Sequence, residues 1–242
     1  MTVRFLGSGD AFGDGGRFQA CILLEHDGYR ALLDCGATSL VAMKRLGVDP
    51  GSIDAVIVTH YHGDHAGGVP YLVLDGQFTK RTRPLVIAGP PSVRQRIATL
   101  FEAAFPTSSH TEQRFGPSYV DLGDRAVQIG PLTVLAMAVA HLEETEARGL
   151  RISTGARTIG YMGDSAWCAA LPRLCDSTDL FIAECYTFTQ AVPHHLSHAD
   201  LVTHRHELRT ERLVLTHPGP EALANQGSLE WELAEDGLEL VL

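Results

Sequence analysis

Residues 58–68, VTHYHGDHAGG, place His60, His62, Asp64 and His65 within six positions, at the end of the apolar run AVIV (55–58). In an extended segment successive side chains alternate faces, so His60, His62 and Asp64 are expected on one side, with Gly63 permitting the turn that brings His65 round to them. A helical metal motif would space its histidines four apart, so this cluster reads as a strand end and the loop after it. Imidazoles and a carboxylate packed this densely point to a metal ion rather than to a solvated surface.

Three further candidates occupy similar places. His141 follows TVLAMAVA, Asp164 follows TIGYMG and His217 follows RLVLT, each being the first strongly polar residue after an apolar strand candidate. Strands that end in ligands can deliver them to one edge of a sheet, where α/β folds place their sites. Five histidines and two aspartates suit two zinc ions, with one carboxylate shared between them; manganese or iron would also be accepted.

Around these residues, apolar β-branched runs alternate with turn chemistry. ACILLEH and YRALLDCG flank Asp27-Gly28, a dipeptide suited to a type I′ hairpin, and AVQIGPLTVLAMAV is expected to break at Gly130-Pro131. Further strands are expected in TVRFLGSG, AVIVTH, PLVIAG, LRISTG, RTIGYMGD, LFIAEC, RLVLTH, LEWEL and GLELVL. Helices fit ATSLVAMKRLG, ending at Gly47, PPSVRQRIATLFEAAF, and SHADLVTHRHEL, with Ser197 as N-cap and Asp200 three residues on. Hairpins mixed with strand–helix–strand passages in both halves imply two packed sheets with helices outside, as one α/β domain over residues 1–242.

The chain has 242 residues, 45% of them hydrophobic, enough for one well-buried core. No stretch approaches a membrane span and the N-terminus lacks a secretory layout, so a cytoplasmic protein with no membrane partner is expected. Five scattered cysteines without a CxxC pair suit neither a disulfide framework nor a thiolate zinc site. With 19 Lys and Arg against 29 Asp and Glu, the net charge of −10 disfavours a nucleic-acid partner. KRTR (80–83) is the one short basic candidate and reads as a solvated loop.

The order Asp34, His60-x-His62-x-Asp64-His65, His141, Asp164, His217 resembles the metallo-β-lactamase superfamily over essentially the whole chain. Within it, FLGSG, LLDCG, THYHGDHAGGVPYL, RPLVIAGP, YMGDS and LVLTH are similar, in that order, to ribonuclease Z and its phosphodiesterase relatives. The resemblance implies a four-layer αββα sandwich. It implies His60, His62 and His141 on one metal, Asp64, His65 and His217 on the other, Asp164 between them, and Asp34 orienting a ligand imidazole or the loop. It further implies that AECY (183–186) and HLSH (195–198) supply a catalytic pair, Glu184 with His195, alongside Asp64; His198 competes with His195 for the acid role. His204 and His206 read as exposed helix residues.

Two departures matter. Only 22 residues separate His141 from Asp164, too few for the tRNA-gripping arm of ribonuclease Z, and FGDGGRFQ (12–19) keeps only Arg17 of that family's basic stretch. The expected activity is therefore that of a zinc-dependent hydrolase, a phosphodiesterase using a metal-bridging hydroxide on a small or non-tRNA substrate. A tRNA 3′-processing endoribonuclease, or a hydrolase of lactones, esters or β-lactams, is the alternative. Homodimers are frequent in the family. Loops 10–18, 66–82 and 105–118 are expected to line the substrate pocket.

Overall fold

The computed structural model describes residues 1–242 apart from Ser109. Six strands open the chain: β1 (Thr2–Gly7), β2 (Cys21–His26), β3 (Tyr29–Leu33), β4 (Ala55–Ile57), β5 (Val86–Gly89) and β6 (Ser118–Asp121). Seven more follow: β7 (Val127–Ile129), β8 (Leu132–Ala138), β9 (Arg148–Ser153), β10 (Thr158–Tyr161), β11 (Leu180–Glu184), β12 (Leu213–Thr216) and β13 (Glu232–Leu233). The last strand, β14 (Glu239–Val241), returns to pair with β1. The sheets have the orders β14-β1-β2-β3-β4-β5-β6 and β13-β12-β11-β10-β9-β8-β7.

Side-chain alternation explains the layering. Ala55 and Ile57 of β4 join Leu132, Val134 and Ala136 of β8 in the cluster between the sheets. Val56, pointing the other way, packs outward with Met43, Leu72, Ile97 and Phe101. Those partners lie on α1 (Ser39–Arg45), α3 (Val69–Phe78) and α4 (Val93–Ala104); a single turn, α2 (Gly63–Ala66), stands between α1 and α3. In α4 the buried residues Val93, Ile97 and Phe101 recur every four positions, the stripe that a helix lays on a sheet. The second sheet is covered on its outer face by a third cluster that includes Leu171, Leu174, Leu201 and Ala222, from α5 (Ala170–Cys175), α6 (His198–Thr203) and α7 (Pro220–Ala224). The result is the αββα sandwich.

Most turn chemistry reads through. Asp27 (φ 48°) and Gly28 (φ 77°) both adopt the left-handed region a type I′ turn demands, Gly130 (φ 55°) breaks β7 from β8, and Ser197 with Asp200 forms a full capping box. Two expectations fail and one strand goes unseen in the sequence. Residues 69–78 form α3 rather than loop, with Val69, Leu72, Val73 and Gly76 buried. β6, SYVD, escapes sequence reading because it is an edge strand with no residue fully buried. KRTR is not simply solvated: Arg81 is buried and its guanidinium donates to the carbonyls of Pro50, Ile53, Arg83 and Pro84, while Arg83 pairs with Asp54 at 2.5 Å. Four of the cysteines are buried and Cys168 is half-buried.

The parallel run β10, β11, β12 ends at Tyr161, Glu184 and Thr216, and β3 beside β4 ends at Leu33 and Ile57. The residues just beyond those ends build the site.

Candidate metal centre

His60 follows β4, but the alternation expected after it stops at His62. His62 is extended and caps α2, so Asp64 and His65 stand on a helical turn, and Gly63 needs no left-handed backbone. Convergence comes from that turn docking against the LLDCG loop. A Cβ on Gly68 would lie 2.1 Å from the Gly36 carbonyl oxygen, and one on Gly36 would lie 2.2 Å from that of Asp64, so the glycines of HAGG and LLDCG let the two segments touch.

Two groups of donors result. His60, His62, His141 and Asp164 form one and Asp64, His65, Asp164 and His217 the other; within each, one ligand atom per residue lies within 4.8 Å of the rest. In the first, His62 Nδ1 stands 3.1 Å from His60 Nε2 and 3.3 Å from His141 Nε2. In the second, His65 Nε2 is 3.3 Å from His217 Nε2 and 3.2 Å from Asp164 Oδ1, and His217 Nε2 is 3.1 Å from Asp64 Oδ2. Ligands placed tetrahedrally at about 2.0–2.1 Å from a zinc ion stand roughly 3.3 Å apart, which the separations just given match, while Asp164 Oδ2 stands farther off, 3.9 Å from His60 Nε2 and 3.6 Å from His217 Nε2.

The outward nitrogens fix the tautomers. His65 Nδ1 donates to Asp34 Oδ2 (2.8 Å) and His141 Nδ1 to the His194 carbonyl (3.0 Å). Thr59 gives its hydroxyl proton to Asp34 (2.9 Å) and so accepts from His60 Nδ1 (3.0 Å). The inward nitrogens of these neutral imidazoles thus carry lone pairs that face one another, an arrangement that a shared cation stabilises. Asp164 Oδ1, buried, has no hydrogen-bond partner, as an oxygen reserved for a metal would.

The electrostatics make the same demand. Burial alone would lower the His217 imidazole, but the Asp164 and Asp64 carboxylates push it up to about 9, and Asp164, Asp64 and Asp34 raise His65 well above its usual range. Burial opposes ionisation of Asp64 and Asp164, yet the imidazoles around them hold both carboxyls low. These buried carboxylates call for positive charge, which a divalent ion supplies without turning two N–H groups toward each other.

Asp34 is the hub beneath. Its carboxylate accepts from the Thr59 N–H (2.7 Å), the Thr59 hydroxyl, His65 Nδ1 and the Tyr161 hydroxyl (2.7 Å). Thr59 and Tyr161 escaped sequence reading; their positions beside His60 and MGDS are the only signal. Asp34, His194 and His217 hold φ of 59°, 68° and 60°, left-handed values that occur at sites whose surroundings enforce them.

Glu184 ends β11, fully buried, and binds His195 Nδ1 through Oε1, while Oε2 accepts from the Ser165 N–H (3.0 Å) and the Leu196 N–H (3.4 Å). Burial and then the Asp164 carboxylate push the Glu184 carboxyl well above its usual range, and burial pushes the His195 imidazole down. His198 is elsewhere: its ring stacks on Phe188 (5.0 Å, 5° between planes) and its Nε2 accepts from the Glu230 N–H at 3.0 Å. His204, expected exposed, is half-buried and stacks on Trp167 at 4.0 Å.

A cleft of about 330 Å³ opens over the donors, lined by Ala11, Phe12, Gly63 and Tyr186 together with His62, Asp64, Asp164, His195 and His217. Of the loops expected there, 10–18 contributes; among the described residues, none from 66–82 or 105–118 does, because α3 turns the former away onto the first sheet. No helix among the described residues is long and apolar enough to cross a membrane.

Fold and donor set together define a member of the metallo-β-lactamase superfamily, in its ribonuclease Z-like branch. More narrowly, a family model described as "Anti-Pycsar protein Apyc1" matches residues 1–235, and the chain belongs to that family. It is 38% identical over 87 residues to the anti-Pycsar protein Apyc1 of Saccharibacillus brassicae, which covers 36% of each chain. To the ribonuclease Z of Agathobacter rectalis it is 33% identical over 100 residues, 41% of this chain and 33% of that one. The chain thus matches about a third of the length of these curated relatives. In fold it is similar to the metallo-β-lactamase fold protein YhfI from Bacillus subtilis, with a TM-score of 0.83 and 22% identity over 99% of this chain and 98% of that one.

Proposed function

We propose that the protein is a binuclear metal-dependent phosphodiesterase acting on a small substrate. Zinc is the metal the donor set suits best, with His60, His62 and His141 in one pocket, Asp64, His65 and His217 in the other, and Asp164 common to both. Two divalent ions so held supply a Lewis acid for a phosphoryl oxygen and acidify water at neutral pH.

The observation that carries the phosphodiester reading is the Glu184–His195 pair. A carboxylate fixed by two backbone N–H groups holds His195 by Nδ1, at the wall of a cleft that also exposes Asp64, Asp164 and His217. That leaves the other imidazole nitrogen free to take up a proton from water and, as imidazolium paired with Glu184, to pass it to a departing alkoxide, which a phosphodiester of an ordinary alcohol needs and a nitrophenolate does not. Cleft size favours a small molecule, and the net charge of −10 repels a long polyanion.

His195→Ala is expected to slow hydrolysis of an alkyl phosphodiester by about 10²–10⁴-fold while slowing bis-nitrophenyl phosphate far less. Equal losses on both remove His195 from the acid role. The same assay on precursor tRNA and on a lactone separates this reading from its alternatives: preferred turnover of either would replace it.

A further inference from the structure

Of the three imidazoles in the first donor group, His60 and His141 are turned by partners on their outward nitrogens, the Thr59 hydroxyl and the His194 carbonyl. His62 is not: its Nδ1 faces the donors, and among the described residues no group hydrogen-bonds to its Nε2. A ligand imidazole without an outer partner is aimed only as well as its backbone is held. The His62 carbonyl caps α2, accepting from the His65 N–H (3.1 Å) and the Ala66 N–H (2.9 Å). On the other side stands Tyr61, whose ring packs on the outer cluster of the first sheet and whose hydroxyl donates to the Pro90 carbonyl at 2.7 Å.

Pro90 leads into α4, and the same helix end grips the segment that carries His141, the loop from β8 to β9. Within that loop Glu143–Thr145 form a short turn, closed by the Thr145 hydroxyl on the Leu142 carbonyl (2.6 Å). Ser92, just before α4, donates its hydroxyl to Glu146 Oε1 (2.8 Å). Arg96 Nη2 donates to the Glu144 carbonyl (2.9 Å) and reaches Glu146 Oε1 at 3.4 Å, while its guanidinium lies over the Tyr61 ring, 5.6 Å from the centroid. Ser92 (φ 77°) and Glu146 (φ 55°) both hold left-handed backbone, so each end of their hydrogen bond keeps a conformation that a non-glycine residue adopts only where its surroundings enforce it. A hollow of about 310 Å³, lined by Tyr61, Ser92, Gln95, Arg96, Thr99 and Leu100, opens beside these bonds. Hydrogen bonds rather than close packing therefore set how near the loop comes to the helix.

We infer that Tyr61 and Glu146, neither of them a donor, are positioning residues: tied to one helix end, they fix the 3.3 Å gap between His62 and His141 and so set how tightly the half-exposed pocket holds its ion; this rests on the binuclear metal reading above. Loss of an outer orienting partner weakens metal binding by about 10–100-fold, and an effect of that size is expected in this pocket alone.

The test withdraws zinc from the metal-loaded protein with graded amounts of a chromophoric chelator, which reports the affinity of each ion without an activity assay. In Glu146→Ala the more weakly held ion is expected to lose about 10- to 100-fold in affinity, with the tighter ion unchanged. Tyr61→Phe, which keeps the ring and loses the hydroxyl, is expected to weaken the same ion. Glu146→Gln, which keeps an oxygen for the Ser92 hydroxyl and gives up the charge, is expected to restore it. An unchanged weak ion in either Glu146→Ala or Tyr61→Phe overturns the clamp, as does equal weakening of both ions, or a Glu146→Gln variant that behaves as Glu146→Ala. Should the wild type hold one ion or none, the binuclear reading fails. The clamp is then decided on the remaining ion: affinity lost in Glu146→Ala and regained in Glu146→Gln upholds it, and any other pattern, or no ion at all, overturns it.

Discussion

The two donor groups each take two side chains from one sequence motif and share Asp164, yet they differ in depth and charge. Around His65 and His217 everything is buried: the exposures are 0% for His65, 4% for His217 and 7% for Asp64, and two carboxylates, Asp64 and Asp164, face the two imidazoles. Around His62 and His141 the rings are half-exposed and Asp164 is the only carboxylate. Their outer partners differ in kind as well, an Asp34 carboxylate behind His65 and a backbone carbonyl behind His141. A buried pocket with more negative charge holds a divalent ion more strongly, because the attraction is less screened and the carboxylates have no other counter-charge.

The largest effect should come from the residue both pockets share. Asp164→Asn is expected to deplete both, lowering turnover by more than the about 10–100-fold that follows loss of an outer orienting partner. Metal analysis beside the activity assay checks this, and depletion of a single pocket would break the symmetry claimed for Asp164. Next come the pocket-specific changes. His65→Ala strands the buried Asp34 and Asp64 carboxylates and is expected to cost about 3–5 kcal/mol in stability. His62→Ala, at a half-exposed position, should release one ion with little change in the denaturation midpoint. If urea melts show equal losses for the two, the difference in depth has no energetic content.

The smallest effect concerns the thiols near the deep pocket. Burial pushes Cys21 up to about 12 and Cys35, next to Asp34, well above the usual thiol range. The thiolate is the reactive form, so at pH 8 both should resist a maleimide in the metal-loaded protein while half-buried Cys168 reacts first. Labelling of Cys35 as fast as that of Cys168 would show the deep pocket opening readily.

How much of this was legible depended on where each signal lies. His60 to His65 stand together in the sequence, and His141, Asp164 and His217 each follow an apolar run, so strand ends alone suggested them. Turn residues such as Asp27-Gly28 and Ser197 act on their own backbone and were equally readable. By contrast, the helical turn that carries Asp64 and His65 is set by contact with Gly36, 27 residues before Gly63, and Tyr161 acts on Asp34 across 127 residues. The Asp34 hub and the His194 carbonyl depend on approaches between segments that periodicity does not encode. Helix α3 was hidden by its own composition: VPYLVLDGQF is apolar nearly all round and contains Gly76, so no amphipathic stripe marked it.

The proposed function requires seven side chains to hold two divalent ions of unequal affinity, and metal analysis of protein purified without chelators tests it directly. It predicts two equivalents per chain, one of them lost on mild dialysis and the other retained until the protein is treated with a strong chelator. One equivalent or fewer, or two that leave together, would contradict it.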